Sequence, residues 1–450
     1  MYKMLGRYAV DMGAMVSNCD FGDFPFNKLM QLSDDDFSKP NQYQSIWELV
    51  ILNQFVSLVV NTENVDIDNE YYKKLKNYFD QYLGETTDLH KLSLTRVKKE
   101  ESVLCLSKGF LASSFSGGKE NAITYGDSFS NIAAINRSIL QTLLEYFKTA
   151  EFNSYIVQFD RLDDTYNQYA EIDTYMHVII SLMKTVYKIN NLFRSAGISS
   201  VKTIVYIRSD IIDEIGKRDS ESARWEDFSY KLNWAIINKN DWINPPLKAV
   251  IDKRILTSLE SSVKFEDILD SKTIRISRTE NATDAQGDSK LYMDVLKYIV
   301  ELTMHRPRDI IKFCKCIQNE IMSSESKKIN YRTIKNAEKE FCYWLVNAEI
   351  SNEINPIISN IDELYAFLRT LGSKPFSFND FYVRYKSFDK SITSMDKDKL
   401  IEFLYDVGIL MNFHVNKGRV YFRSKIRNRG AVDRTMKLMI HPGVWKGINV

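Results

Sequence analysis

The stretch that decides the fold is SYIVQFDRLDD, residues 154–164. Its first part is a short apolar run that ends in Asp160, which is typical of a buried β-strand. A long helical pattern follows, and Gly197 stands where a helix C-cap is expected. The run TIVYIR, residues 203–208, then predicts a second buried strand. Strand, helix and strand in this order predict a βαβ unit with two parallel strands.

Helical patterns upstream of this unit indicate an α/β core. Helices that alternate with a few apolar strands are expected when helices cover a largely parallel sheet. Residues 273–278 alternate with period two and predict an edge strand, and the polar stretch 280–289 marks the end of the core. We therefore expect an α/β core over residues 1–280. The predicted upstream helices cover residues 46–60, 71–82 and 132–147.

Downstream of the core the patterns predict two further domains. Almost every residue from 290 to 349 fits a helix, so we expect a helical lid over residues 285–352. Residues 356–450 contain three helical segments followed by two extended runs joined at Asn416-Lys417-Gly418, which predicts a winged helix. The helices predicted here cover residues 291–303, 307–322, 331–347, 361–371, 377–384 and 397–407.

Composition limits the class of protein. The chain has 450 residues, of which 44% are hydrophobic, so roughly two to four domains are expected. Lys and Arg (60) balance Asp and Glu (59), which excludes a uniformly basic nucleic-acid-binding surface. The basic charge is local, because residues 356–450 hold 16 Lys and Arg against 9 Asp and Glu. No apolar run is long enough for a membrane helix, and five scattered cysteines fit a reducing compartment, so we expect a cytoplasmic protein without membrane contact.

Acidic residues directly follow the first buried strand. Ligands collect beyond the carboxyl ends of parallel strands, so Asp160 is placed to bind the water shell of Mg²⁺. Asp163 or Asp164 could then orient an attacking water molecule. The other interpretation is a solvated turn in which Asp164 or Thr165 caps the next helix. The local sequence leaves both open.

Arginines follow at two places that suit anion binding. Arg208 closes the second strand and is expected near Asp160, either as a γ-phosphate sensor or as an ion-pair partner. In HRPRD, residues 305–309, Arg306 and Arg308 stand at a predicted helix N-terminus, where the helix dipole favours anions. The alternative is a basic loop whose charge Asp309 offsets.

An ordered set of motifs resembles a family of bacterial P-loop ATPases related to the STAND and AAA+ groups, some of them found at phage-defence loci. The resemblance implies that ATP and Mg²⁺ are cofactors and that Asp160 is the Walker B magnesium carboxylate. It also implies that Asp163 or Asp164 positions water, that Arg208 and Arg308 are sensors beside Arg306, and that Arg254 is an interfacial arginine. The motifs are FDRLDD (159–164), TIVYIRSD (203–210), KLNWAIINKND (231–241), DKRI (252–255) and MHRPRDIIKF (304–313).

The sequence departs from this family at one point. A P-loop needs GxxxxGK(S/T), because backbone N–H groups and the lysine hold the phosphates, and the chain lacks this motif. The family places its first strand and phosphate loop before the part that Met1 to Val16 resembles, which is the helix after that loop. The sequence leaves open whether the loop lies outside the given chain or phosphate binding has been lost.

The expected function is an ATPase module in which nucleotide bound between core and lid controls how the winged helix meets DNA or a protein partner. The alternative is a non-catalytic DNA-binding or scaffold protein on a degenerate ATPase fold, with acids and arginines kept as ion pairs. A weaker third hypothesis is a nuclease using Asp160, Asp163 and Asp164. Self-association of the chain is compatible with all three. Candidate contacts of the winged helix to DNA or a partner are Lys397, Lys399, Arg419, Arg423, Lys425 and Arg427.

Overall fold

The chain forms two compact units, Met1–Tyr230 and Lys231–Val450. Its architecture is mixed α/β and mostly helical, with a small parallel sheet of three strands. Within the described ranges, none of the helices has the length and apolar character that a membrane crossing requires. The computed structural model describes residues 2–21, 41–63, 65–83, 128–150, 154–162, 172–216, 219, 225, 227–232, 234, 242, 245–259, 262–276, 292–323, 329–355, 357–388, 392–416, 419–423 and 431–449.

The parallel sheet organises the N-terminal unit. Its strands are β1 (Ala14–Asp20), β2 (Ser154–Asp160) and β3 (Val201–Val205), and β2 lies in the middle. Both strand pairs are parallel, and a long helix joins β2 to β3, so the predicted βαβ unit is confirmed. The helices of this unit are α1 (Tyr2–Asp11), α2 (Gln44–Val60), α3 (Glu70–Tyr78, continued by a π-helical turn at Phe79–Leu83), α4 (Ser128–Thr149), α5 (Ile172–Ser195) and α6 (Ser209–Gly216).

Two local predictions in this unit need correction. The sequence predicts one helix over Met1–Val16, but α1 ends at Asp11 and β1 begins at Ala14. Gly13 makes this turn in the left-handed region, at φ 85°, which glycine adopts without strain. Strand β3 begins two residues before the predicted start and ends at Val205, the partner of Phe159 in β2. Gly197, at φ 81° just beyond α5, is the predicted C-terminal glycine.

One face of the sheet carries the apolar core of the N-terminal unit. Tyr155, Val157 and Phe159 of β2 alternate onto this face, which is the reason that a strand and not a helix forms here. The Phe147 ring of α4 lies 4.9 Å from the Tyr155 ring and 5.6 Å from the Phe193 ring of α5. Helix α2 is buried on nearly all sides. Aromatic packing therefore holds α2, α4 and α5 on this face.

The outer edge of β3 is covered by a side chain. The amide nitrogen of Asn190 in α5 donates to the backbone oxygen of Thr203 at 2.9 Å. Its amide oxygen accepts from the Thr203 backbone N–H at 2.8 Å. Both backbone groups that Thr203 presents at this edge are therefore paired within the unit.

The C-terminal unit begins with a helical region. The sequence predicts a helix over residues 291–303, but the described chain starts there with a short strand. This strand pairs antiparallel with residues 273–275, and Asp294 caps the helix that follows by accepting from Lys297 N at 2.9 Å. The elements are α7 (Pro246–Leu259), β4 (Thr273–Arg275), β5 (Tyr292–Asp294), α8 (Val295–Leu302), α9 (Pro307–Ser323), α10 (Tyr331–Trp344), a π-helical segment (Leu345–Ile350) and α11 (Ser351–Ile354).

Three helices and an antiparallel sheet follow, and we call residues 361–449 the terminal module. The three predicted helices and the predicted hairpin are confirmed, whereas β8 and the last helix were not predicted. The sheet order is β7-β6-β8, and Phe376 adds a bridge to Leu438 of β8. The elements are α12 (Ile361–Leu371), α13 (Phe378–Tyr385), α14 (Lys397–Asp406), β6 (Leu410–Asn416), β7 (Arg419–Arg423), β8 (Lys437–Ile440) and α15 (Pro442–Gly447).

Helix α15 packs closely against the helical region. A Cβ atom at Gly443 would lie 2.2 Å from the Leu302 backbone oxygen, and one at Gly447 would lie 2.2 Å from the Cys342 backbone oxygen. Glycine at both positions is therefore required for the contact with α8 and α10. Lys446 adds an ion pair to the buried carboxylate of Glu338. The terminal module and the helical region thus share one core within this unit.

Candidate functional site

Two carboxylates stand side by side at the carboxyl edge of the parallel sheet. Asp20 is the last residue of β1 and Asp160 the last of β2, and the strand register pairs them directly. Neighbouring strands lie about 4.8 Å apart, and paired residues project from the same face. The bond from Phe21 N to Asp160 O, at 3.1 Å, continues this register. Asp160 therefore has a second acidic residue beside it.

Arg161 shares this edge. Its backbone lies in the left-handed region, at φ 62°, which is uncommon outside glycine and turns the chain as β2 ends. The guanidinium nitrogen NH1 lies 3.2 and 3.3 Å from the two carboxylate oxygens of Asp20. Both partners are exposed, so water screens this pair. The edge thus combines two carboxylates with one guanidinium group.

A row of polar side chains lies next to the carboxylates on the same face of the sheet. Gln158, two residues before Asp160, is completely buried. Its amide nitrogen donates to Asn18 of β1, and its oxygen accepts from the Tyr206 hydroxyl at 2.8 Å. A Cβ at Gly6 would lie 2.7 Å from the Gln158 amide nitrogen, so α1 lies directly over the row. The row joins β1 and β2 to the residue that directly follows β3.

Tyr206 is held as a hydrogen-bond donor at this edge. Burial and the negative charge of Asp160 raise the pKa of Tyr206 to about 12. The phenol therefore keeps its proton near pH 7 and donates to Gln158. The edge as a whole offers carboxylate oxygens to a cation.

The other residues predicted for this site are Asp163, Asp164, Arg208 and Arg254. Asp163 and Asp164 are outside the described residues. Arg208 lies three residues beyond β3 and is exposed. Arg254 belongs to α7 of the C-terminal unit, also exposed, and its charge opposes the burial that raises the pKa of the Cys314 thiol to about 12.

In the C-terminal unit, Arg306 and Arg308 meet at one glutamate. NH1 of Arg308 lies 3.0 and 3.2 Å from the two carboxylate oxygens of Glu349. NH1 of Arg306 lies 3.3 Å from Glu349 and 2.6 Å from Glu353. The Arg308 side chain is nevertheless 73% exposed, whereas that of Glu349 is 12% exposed. Both predicted arginines are therefore ion-paired, and Arg308 stays open to solvent.

A buried carboxylate fixes the loop that carries these arginines. Asp309 is completely buried, and its Oδ2 accepts from Met304 N at 2.8 Å. In the described chain its other oxygen accepts no hydrogen bond. Burial raises the pKa of Asp309 to about 6, although the charge of Arg306 opposes this. His305, also buried, takes the left-handed conformation at φ 54°, so the loop has a defined and strained shape.

Several described charged side chains of the terminal module have partners within the module. Lys397 lies over the Tyr382 ring, 4.4 Å from its centroid. Asp398 accepts from the Tyr382 hydroxyl at 2.6 Å and from Arg434 at 2.8 Å. Lys399 lies 3.9 Å from Asp396. Arg419 and Arg423 are the first and last residues of β7, and Lys425 and Arg427 lie outside the described residues.

Sequence reasoning missed three residues of these sites. Asp20 ends the stretch AMVSNCD, whose apolar residues do not alternate, so the one signal was the glycine before it, Gly13. Gln158 is a polar residue inside a buried apolar run, and such a position indicates a side chain with a specific hydrogen-bond partner. Glu349 had no signal, because only the fold brings it to arginines some 40 positions earlier.

A comparison with protein families matches part of the C-terminal unit. Residues 245–348 match a family described as the FunZ-associated C-terminal helical domain. The match spans α7 to the π-helical segment and covers less than half of the chain. No curated protein matches the sequence. In the described part of the chain, no group of three or more His, Cys, Asp or Glu side chains could hold a metal ion.

Proposed function

We propose that the chain is a nucleotide-binding module of the STAND/AAA+-like P-loop type, in which ATP with Mg²⁺ controls how the terminal module, a winged helix, meets a partner. The resemblance to ATPases of defence loci extends the proposal to antiviral defence. The proposal concerns binding and switching, because hydrolysis requires a phosphate loop that the sequence lacks.

The observation that carries the proposal is the pair Asp20 and Asp160 at the carboxyl edge of three parallel strands. Open α/β sheets bind ligands at this edge. Mg²⁺ prefers oxygen ligands and is commonly held through one or two carboxylates while it keeps several waters. The two acids fit this requirement, with Asp160 as the ligand and Asp20 partly neutralised by Arg161.

The neighbouring polar row supports a fixed geometry for such a site. Gln158 is held from both sides, by Asn18 and by Tyr206. Rigid supporting hydrogen bonds reduce the entropy lost when a ligand binds. Tyr206 keeps its proton at neutral pH and donates a hydrogen bond to Gln158, which fixes the Gln158 side chain beside Asp160.

A second candidate function is a non-catalytic scaffold on a degenerate ATPase fold. The ion pairs that the charged side chains already form favour this second function. Arg161 pairs with Asp20, and Arg306 and Arg308 pair with Glu349. Charged groups kept for structural ion pairs would show this arrangement in the absence of any nucleotide.

For the terminal module we favour a protein partner over DNA. The exposed surface of α14 carries Lys397 and Lys399, but also the carboxylates Glu402 and Asp406. A helix that enters the major groove gains affinity from cations near phosphates, and carboxylates there repel the backbone. Mixed charge is more typical of protein surfaces that bind other proteins.

The test is equilibrium binding of a fluorescent ATP analogue with Mg²⁺ to the full chain. Asp160→Asn keeps the shape of the side chain and removes its charge, and we expect at least about tenfold weaker binding. Asp68→Asn removes an exposed carboxylate that pairs with Lys73 away from the edge and should bind as the native chain does. No binding by the native chain up to millimolar concentration would favour the scaffold.

A further inference from the structure

The C-terminal unit contains a cluster of ion pairs that we call the arginine latch, made of Arg306, Arg308, Glu349 and Glu353. Glu349 contacts both arginines, and Glu353 adds the shortest contact, 2.6 Å to Arg306. The arginines stand at the start of α9, whereas the glutamates belong to the chain just after α10. The latch therefore ties the HRPRD loop to the connection that leads into the terminal module.

Glu349 lies in the π-helical segment Leu345–Ile350. In this wider turn the backbone N–H of Ser351 bonds to Val346 O, five residues back, and the Ser351 hydroxyl donates to the same oxygen at 2.8 Å. π-Helical turns are rare, less stable than α-helix and frequent at functional sites. A π-helical turn holds one residue more than an α-helical turn, so a return to α-helical pairing would move the flanking chain by one residue.

The side chain of Tyr365 connects this segment to α12 of the terminal module. The Tyr365 hydroxyl of α12 donates to Val346 O at 3.0 Å and lies 3.0 Å from the Ser351 hydroxyl oxygen. Tyr365 is buried, and burial raises the pKa of its phenol, so the hydroxyl remains a donor. The acceptor of the Tyr365 hydroxyl therefore belongs to the π-helical segment itself.

We propose that the arginine latch is an autoinhibitory contact that a polyphosphate opens. In this proposal the phosphates of the nucleotide take Arg308 and Arg306 from Glu349, the π-helical segment changes its pairing, and Tyr365 transmits the change to α12. The inference rests on the proposed function for its natural ligand. It adds to that function a route from nucleotide to the terminal module that lies wholly within the C-terminal unit.

The exposure of Arg308 and the charge of a polyphosphate allow phosphate groups to replace Glu349 as the partner of the arginine. The Arg308 side chain is mostly in solvent, so a ligand reaches it without unfolding. Guanidinium groups bind phosphate in the same forked geometry as carboxylate, and a polyphosphate brings more negative charge than one glutamate. The N-terminus of α9 favours the same anion. The buried Asp309 holds the loop in place while the partners exchange.

The experiment uses the full chain with sodium tripolyphosphate as the probe. Calorimetry measures the affinity, and amide hydrogen exchange follows residues 345–355 and 361–371. The double variant Glu349→Gln, Glu353→Gln opens the latch, and Glu340→Gln is the matched control. Glu340 also pairs with a lysine of α9, Lys312 at 3.7 Å, but away from the arginines. Tyr365→Phe keeps the ring and removes the hydroxyl.

We expect the probe to raise exchange about fivefold in both segments of the native chain. The double variant should show the raised exchange without probe and bind it about fivefold more tightly, whereas Glu340→Gln should match the native chain. In Tyr365→Phe the probe should raise amide exchange in residues 345–355 but not in residues 361–371. Equal exchange and affinity in the double variant and the native chain, or absence of tripolyphosphate binding, would overturn the inference.

The two proposals fail in different ways. Binding of the ATP analogue that depends on Asp160, together with latch variants that behave as the native chain, removes the latch alone. A tripolyphosphate response without binding of the ATP analogue removes the nucleotide function and leaves the latch as an anion-operated contact.

Discussion

Asn190 makes, with one side-chain amide, the two hydrogen bonds that a further strand would make to Thr203. The distances are 2.9 Å to the Thr203 oxygen and 2.8 Å from its N–H. Edge strands with unpaired backbone groups invite pairing with other chains. Helix α5 therefore protects this position of β3 with a side chain.

We predict that Asn190→Ala lowers the free energy of unfolding by about 1–3 kcal/mol, because Thr203 loses both partners at a partly buried edge. Light scattering should also show faster aggregation on warming. Asn191→Ala is the control, since the Asn191 amide oxygen accepts a hydrogen bond from Arg194 at the surface, at 2.6 Å. Equal urea midpoints of the two variants would show that the hydrogen bonds from Asn190 to Thr203 do not stabilise the folded chain.

Asp309 should make stability depend on pH. Its folded pKa of about 6 lies above its ordinary value of 3.8, so the folded state keeps a proton that the unfolded state releases. The stabilisation is complete below pH 4 and is lost as the pH rises to 6, by about 3 kcal/mol at 1.36 kcal/mol per unit. Urea unfolding between pH 4 and 6 should show this fall in the native chain and a flatter profile in Asp309→Asn.

The control for this profile is Asp380→Asn. Hydrogen bonds from the Ser377 backbone N–H and hydroxyl hold the pKa of Asp380 below its ordinary value. Its contribution is therefore present above pH 3.8 and is lost only at lower pH. The slope between pH 4 and 6 should match the native chain in this variant, and a flattened slope here would assign the effect to another group.

Gly447→Ala should destabilise the C-terminal unit by at least about 2 kcal/mol. The added Cβ would lie 2.2 Å from the Cys342 backbone oxygen and 2.5 Å from a Val346 methyl group, so α15 must move away. Thermal unfolding and denaturant midpoints measure the loss. Asn449→Ala, an exposed position just beyond α15, should keep the native midpoint. A native midpoint in Gly447→Ala would mean that α15 is not docked in solution.

Removing two lysines from α14 should leave DNA binding unchanged. We expect the double variant Lys397→Ala, Lys399→Ala to show the same salt dependence as the native chain in anisotropy titrations with a labelled duplex of about 20 base pairs. Each lysine that contacts a phosphate contributes about one unit to the slope of log affinity against log salt. A slope smaller by about two in the variant would place DNA on α14.

The predictions that the structure confirms came from the local spacing of apolar residues in the sequence. The alternation in residues 154–160, the helical period before Gly197 and the three helices of the terminal module depend on neighbours within a few positions. Strand β1 was hidden because only some of its residues are apolar, and Gly13 was the one sign of a turn. Asp20 meets Asp160 through strand register, and Arg308 meets Glu349 through helix packing. Such pairings depend on tertiary structure, which the spacing of residues does not encode.

The docking of α15 has a consequence for how the chain is made. Helices α8 and α10 are synthesised more than 90 residues before Pro442–Gly447, which covers them and brings Lys446 to Glu338. Until that last helix leaves the ribosome, the helical region exposes an apolar surface and a carboxylate without this partner. Domains usually fold in order as they emerge, but this unit can complete its packing only when residues 442–447 have been added. A stalled or shortened chain would therefore present this surface to chaperones.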